Sequence, residues 1–199
     1  MMAGFKPTHI LVMDWETSGA EFGMDAEEIA KKYQGISLGL IVADFETLEE
    51  VYSDYFLIKY DEQYTWTQRA EEIHGISREE LEKNGVTREE AMERILGPIL
   101  EFWGPKGIIV FGAHNAAFDL AFLQEQILKP AGVNLEFHQA KLDTAVLGMM
   151  LFGNGRSDFV FEILAGCEGR GAHNSLDDAR FCLKSMRTAK QLFQEILND

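Results

Sequence analysis

Leu11–Gly19 reads LVMDWETSG, the point where the apolar run HILVM gives way to Thr-Ser-Gly. Asp14 and Glu16 stand two residues apart there. At the end of a strand, an i, i+2 pair projects to the same side of the chain. Two carboxylates held that close repel, and a divalent metal ion is their usual compensation. If the run is a central parallel strand, its C-terminal end opens into the crevice where α/β sheets bind ligands. The pair is therefore expected to found a metal site, with further ligands supplied from elsewhere in the chain.

Around this stretch the chain reads as a mixed α/β protein. Thr8–Asp14 is expected to be a buried strand, Ile36–Phe45 a second and Glu50–Lys59 a third. The short ETLE link between the latter two favours an antiparallel meander. Between the first two, Glu21–Gln34 is expected to turn helical from Asp25. Helical signals follow at Thr67–His74. Ser77-Arg78-Glu79-Glu80 and Thr87-Arg88-Glu89-Glu90 both match the capping-box pattern. The helix after Thr87 carries Pro98 late, where it is expected to bend or divide.

Gly107–Ala113 reads as a short apolar strand, and Ala116–Leu128 as a helix ended by Lys129-Pro130. His138–Thr144 is a weak strand, and Asp143–Phe152 and Ser157–Ala165 are helices. Beyond a glycine-rich loop (Gly166, Gly169, Gly171), Ser175–Leu197 is a long amphipathic helix. Its expected core face is Leu176, Ala179, Leu183, Met186, Phe193 and Leu197. The order predicts a mixed sheet, antiparallel at its start and parallel in the remainder, covered by helices.

The bulk numbers bound the function. The 199 residues, 46% of them hydrophobic, suit a single domain over residues 1–199 with a full core. The chain has no apolar run long enough to span a membrane, and MMAGFKPTH lacks the order of a signal peptide. Cys167 and Cys182 form no disulfide framework or zinc spacing, so a cytoplasmic protein with reduced thiols is expected. The net charge of −15 is uneven: residues 1–101 hold 22 acidic and 9 basic residues, and residues 102–199 hold 11 and 9. Such a surface argues against a tight, sequence-independent grip on long nucleic acid. It leaves room for a small site that engages a few nucleotides through metal ions.

Two other element ends offer carboxylates. His114-Asn115-Ala116-Ala117-Phe118-Asp119 follows the Gly107–Ala113 strand, and His173-Asn174-Ser175-Leu176-Asp177-Asp178 opens the last helix. Each has a plain structural reading by itself. Acids in a first helical turn favour the dipole, and Ser175-x-x-Asp178 fits a capping box. Together, and in this order, DWETSG, HNAAFD and HNSLDDA resemble the three motifs of the DEDDh 3′–5′ exonucleases. That family has a ribonuclease-H-like fold and includes the proofreading subunit of bacterial replicative polymerase, ribonuclease T and oligoribonuclease. The resemblance spans Ile10 to about Arg187. It departs from the family at Trp15, where a smaller or aliphatic residue, Thr or Phe is more usual, and at Ser175, which replaces a common Ala.

The resemblance implies roles. Asp14, Glu16 and Asp178 would bind one Mg²⁺ or Mn²⁺ ion, and Asp14 would bridge to a second ion held by Asp119, partly through water. Hard cations prefer such oxygen ligands. His173 would be the general base, for which a side chain that titrates near neutrality is suited. Near a bound 3′ end, the backbone of Thr17 and Ser18 would meet the terminal hydroxyl, and Asn115 a phosphate or the backbone of its own motif.

His74-Gly75-Ile76 matches a family loop beside the terminal nucleotide, although His74 followed by Gly75 equally suits a helix C-terminus. Phe118, Phe22 and Trp15 could stack on bases, but Trp15 alternates with two site-facing acids and is expected to point into the core. The implied activity is 3′–5′ exonucleolytic hydrolysis of single-stranded DNA or RNA. Possible associations are a polymerase partner or a homodimer, and the alternative is a non-catalytic nucleic-acid or polymerase-binding module on the same fold.

Overall fold

The computed structural model describes residues 5–168 and 173–198. Gly169 and Gly171 of the expected glycine-rich loop lie outside the described residues. Strands β1 (His9–Thr17), β2 (Gly35–Asp44) and β3 (Glu50–Leu57) flank helix α1 (Ala26–Lys32), which lies between β1 and β2 in the chain. Helices α2 (Gln68–His74), α3 (Arg78–Asn84) and α4 (Arg88–Trp103) follow. Strand β4 (Ile108–Ala113) leads into α5 (Ala116–Phe122), which continues through a π-helical turn (Leu123–Leu128) into α6 (Lys129–Ala131). Strands β5 (Glu136–Phe137) and β6 (Leu142–Asp143) precede α7 (Thr144–Phe152), α8 (Ser157–Ala165) and α9 (Ser175–Asn198).

The sheet order is β3-β2-β1-β4-β5, and β6 also pairs with β4. β1 and β2 are antiparallel, as are β2 and β3, while β1–β4, β4–β5 and β4–β6 are parallel. The mixed sheet expected from the element order is therefore observed. β1 and β2 are buried on both faces, which is why each reads as a nearly unbroken apolar run. Alternation along β1 sends Leu11, Met13 and Trp15 into one core cluster, and Ile10 and Val12 into a second, which includes Ala179, Leu183 and Met186 of α9. By the same alternation Asp14 and Glu16 share the face that α9 covers.

Several boundaries differ from the sequence expectation. α4 runs unbroken past Pro98. The helical segment expected to stop before Lys129-Pro130 continues to Ala131 and ends at Gly132 in the left-handed region (φ 65°). Of the weak strand expected at His138–Thr144 only Leu142–Asp143 is a strand, and a second two-residue strand, Glu136–Phe137, lies just before the expected segment. Phe193 and Leu197, expected in the core, are exposed. Phe193 lines an apolar groove of about 470 Å³ between α7 and α9, together with Leu48, Val146 and Met150. The amphipathic pattern of α9 continues into its last turns, where, among the described residues, Phe193, Ile196 and Leu197 stay exposed.

Gln126 sits in the π-helical turn and is buried. Its amide donates to the carbonyls of Ala30 and Tyr33, each at 2.7 Å, and its carbonyl accepts the Gly35 N–H at 3.0 Å. One side chain thus ties the end of α1 to the start of β2. It does so opposite the register shift that falls between Glu16 and Thr17 of β1.

Candidate active site

The register shift ends the regular ladder at the residues that carry the first motif. Asp14 pairs with Gly39 and Glu16 with Ser37, after which Thr17 pairs with Gly35. An irregularity of this kind bends the strand and re-aims its side chains. Trp15 points the other way, against Phe122 (6.3 Å between ring centroids) and into the core, as expected from its place between two site-facing acids.

Helix α9 brings Asp178 to this edge through an unusually close approach. A Cβ on Gly39 would lie 2.3 Å from the Ser175 carbonyl oxygen and 2.4 Å from the Leu176 Cα, so only glycine lets the helix start so near the strand. The hydroxyls of Ser37 and Ser175 lie 2.7 Å apart, both fully buried. Ser175 therefore has a partner on β2. It is not the helix cap. Asn174 Oδ1 accepts the N–H groups of Leu176 and Asp177 at 3.1 and 3.2 Å, which is how an N-cap residue satisfies a first turn.

Here Glu16, His173 and Asp178 converge. One ligand atom from each lies within 4.8 Å of the others. His173 Nδ1 stands 3.9 Å from Glu16 Oε1 and 3.9 Å from Asp178 Oδ2. Glu16 and Asp178 are buried and His173 is partly exposed. A pair of buried carboxylates from β1 and α9 with an imidazole between them is a donor set that fits a hard divalent cation. Asp14, two residues before Glu16 on the same face of β1, is partly buried.

Asp119 approaches from the other side, on the first turn of α5. Its Oδ1 accepts the Trp15 backbone N–H at 3.0 Å, between the two acids of β1. Burial pushes its carboxyl well above the usual carboxylate range, and the charges of Glu16 and Asp143 add to this. The Trp15 N–H and its own backbone N–H pull the other way. A buried carboxyl that resists ionisation in the protein alone is one whose charge a bound cation would restore.

A cavity of about 210 Å³ adjoins the cluster, lined by Glu16, Thr17, Thr67, Arg69, Ile73 and His74 among others. His74 lies at the end of α2, followed by Gly75 in the left-handed region (φ 72°), so the helix-end reading of HGI holds. Its ring is buried, faces the Trp66 ring at 6.2 Å, and its Nδ1 accepts the Ile76 N–H at 3.0 Å. Burial lowers the His74 pKa below the ordinary histidine value, against the opposing pull of Glu71. His173, two residues before α9, also reaches α2 through a long contact from its N–H to the Ile73 carbonyl (3.4 Å).

Thr17 lines the cavity, whereas Ser18 is fully buried behind it. Ser18 donates its N–H to Gln34 and its hydroxyl to the Thr65 carbonyl, while its own carbonyl accepts the Thr67 N–H. Its polar groups are used inside the protein, where they hold Thr17 and Gly19 at the cavity wall. Asn115 is exposed and takes a left-handed conformation (φ 68°, ψ 59°) with no cap bond from its side chain. Phe118 packs on Phe122 (4.9 Å) at the edge of the core, and Phe22 is fully exposed. Thr67, Arg69 and Ile73 were not singled out from the sequence. The sequence offers for them only the helical signals at Thr67–His74 that lead into HGI.

Comparisons with known proteins bear on the family and the fold. The exonuclease family model matches residues 11–186. The DNA polymerase III PolC-type protein of Thermotoga petrophila is 35% identical over 181 residues, which cover 89% of this chain and 12% of that protein. The PolC-type protein of Thermotoga maritima is 34% identical over 180 residues, covering 88% and 11%. The chain thus spans about one-eighth of the length of these relatives. Among solved structures, the nuclease domain of 3'hExo, a DEDDh family member bound to rAMP, has a TM-score of 0.67 at 15% identity, covering 94% of this chain and 92% of that one. E. coli Exonuclease I in complex with a 5cy-dT13 oligonucleotide has a TM-score of 0.68 at 16% identity, covering 94% and 41%. These last two likenesses are likenesses of fold.

Proposed function

This chain belongs to the exonuclease family, and from that premise we propose that it is a metal-dependent 3′–5′ exonuclease of the DEDDh type. Its substrates are the 3′ ends of single-stranded DNA or RNA, and its products are nucleoside 5′-monophosphates. Residues 1–199 act as one exonuclease domain. The observation that carries the reading is the convergence of Glu16, His173 and Asp178 from a strand, a loop and a helix, with Asp119 seated against the strand backbone between Asp14 and Glu16.

In this reading Asp14, Glu16, Asp119 and Asp178 hold two Mg²⁺ or Mn²⁺ ions. When bound, such a pair supplies charge that lowers the pKa of the attacking water and stabilises the departing oxygen. The chain does the rest. The cavity beside Thr17 and His74 receives the terminal nucleotide, and Arg69 brings a guanidinium to its rim. His173 takes a proton from water as the oxygen attacks phosphorus. The bond from phosphorus to the 3′ oxygen of the preceding nucleotide then breaks, and that oxygen is protonated. Glu16 and Asp178 flank the His173 ring, each with an oxygen 3.9 Å from Nδ1, so the ring stands beside the residues that would hold the ions.

The test uses 5′-labelled single-stranded DNA and RNA of several lengths with Mg²⁺, Mn²⁺ or EDTA. The expected result is a ladder shortening from the 3′ end that vanishes in EDTA and in Asp14→Ala. No degradation of either polymer would overturn the reading. The same assay with added polymerase subunit, and native mass measurement, address the proposed polymerase or homodimer association.

A further inference from the structure

We propose that Asp143, which lies outside the three motifs, is a positioning residue: its carboxylate fixes the start of α5 and thereby the Asp119 carboxyl. The inference rests on the proposed function for what Asp119 does. The geometry is independent of it.

Helix α5 begins without a cap of its own. Asn115 is left-handed and its side chain makes no cap bond, so the first N–H groups of α5 need an acceptor from elsewhere. Asp143 provides it. Oδ1 accepts the Asn115 N–H at 3.1 Å and Oδ2 accepts the Ala116 N–H at 2.9 Å. Oδ1 also accepts the N–H groups of Ala145 (2.9 Å) and Val146 (3.4 Å), the first turn of Asp143's own helix α7. A residue that served only as the N-cap of α7 would need the last two bonds alone. The other two reach back 28 and 27 residues to a different helix.

The fold sets this up through strand β6. Its two residues pair in parallel with Gly112 and Ala113 at the end of β4, which puts Asp143 beside the turn that starts α5. Thr144, the next residue, repeats the tie: its hydroxyl lies 2.9 Å from His114 Nδ1 and is fully buried. Asp119 is one turn into α5, and its Oδ1 meets the Trp15 N–H of β1. A pivot of the first turn of α5 therefore moves Asp119 against β1, and Asp143 resists that pivot.

Two substitutions separate the roles. Asp143→Ser retains a good N-cap for α7 but is too short to reach α5. Asp143→Asn keeps one acceptor oxygen and turns an amide NH₂ toward the Ala116 N–H. Three quantities are measured: hydrogen–deuterium exchange of residues 114–122 in the metal-free protein, Mn²⁺ affinity by calorimetry, and kcat and KM on a 5′-labelled oligonucleotide. The expected result for Asp143→Ser is retained far-UV circular dichroism with faster exchange at the start of α5. Mn²⁺ affinity or kcat falls about 10–100-fold, the usual effect of losing a group that orients a ligand, with KM changed less.

In an Asp119→Asn background, Asp143→Ser should add little further loss, because the effect passes through Asp119. Exchange and Mn²⁺ affinity within twofold of wild type would overturn the inference, as would a lowered melting temperature with unchanged kcat. If the serine variant does not fold, the same readings on Asp143→Asn decide. Absence of turnover in the wild type would count against the proposed function, whereas exchange and metal binding report on Asp143 without turnover.

Discussion

The backbone N–H of Trp15 donates to the Asp119 carboxylate at 3.0 Å, joining two residues 104 positions apart. The contact fixes the order of the site. Strand β1 delivers Asp14 and Glu16 to one face, and α5 comes to rest on the peptide between them. Burial of Asp119 opposes its ionisation, so the assembled site is primed to gain from a cation.

Removing one ligand should abolish the response to metal. Adding Mn²⁺ to the wild type should raise the melting temperature, because the ion binds the folded site and not the unfolded chain. Asp178→Asn should lose most of that rise and about 100-fold or more in kcat. A thermal-shift titration read beside the nuclease assay checks both. An undiminished metal response would exclude Asp178 as a ligand.

His173→Ala separates a base from a ligand. Loss of a general base costs about 10²–10⁴-fold in rate and should leave the Mn²⁺ thermal shift nearly intact. His173 Nδ1 stands 3.9 Å from both carboxylates, so it could also coordinate. Loss of the thermal shift in this variant would reassign it as a ligand.

His74 should make the fold sensitive to acid. Burial lowers its pKa, so between its folded value and the ordinary value of about 6.5 the unfolded chain binds more protons than the native one. Stability is then lost as pH falls from about 6.5 toward the folded value. Asn at this position can still accept the Ile76 N–H without titrating. The drop in melting temperature between pH 7.5 and pH 5.5 should be smaller in His74→Asn than in the wild type. Equal drops would remove His74 from the account.

Gly39→Ala should uncouple α9 from the sheet. The added methyl meets Ser175 and Leu176 backbone atoms at 2.3–2.4 Å, and overpacking of this kind costs about 1–3 kcal/mol. Because α9 carries Asp178, kcat should fall further than the stability loss explains at a temperature where the variant is folded. Activity and melting curves measured together test this, and full activity in the folded variant would contradict it.

Much of the protein was legible in one dimension. The i, i+2 acids of DWETSG, the continuous apolar runs of β1 and β2, and the Thr87 capping box are local patterns, and local patterns survive in sequence. The strand parity that sends Trp15 inward is likewise a matter of counting. The overextended core face of α9 failed for the opposite reason. Phe193 and Leu197 keep the helical period, but burial depends on what packs against those turns, which the helix does not encode.

The sequence by itself determined which carboxylates exist, in what order, and that each stands at the end of an element. Only the tertiary structure decided which of them meet. Glu16, His173 and Asp178 are gathered because Gly39 lets α9 close onto β2, and Asp119 is seated because Trp15 offers it an N–H. Asp143 had no signal beyond its place before a helix, since its two bonds to α5 depend on β6 lying beside β4. Hydrogen bonds and close contacts between distant segments are set by three-dimensional packing, and no spacing along the chain records them.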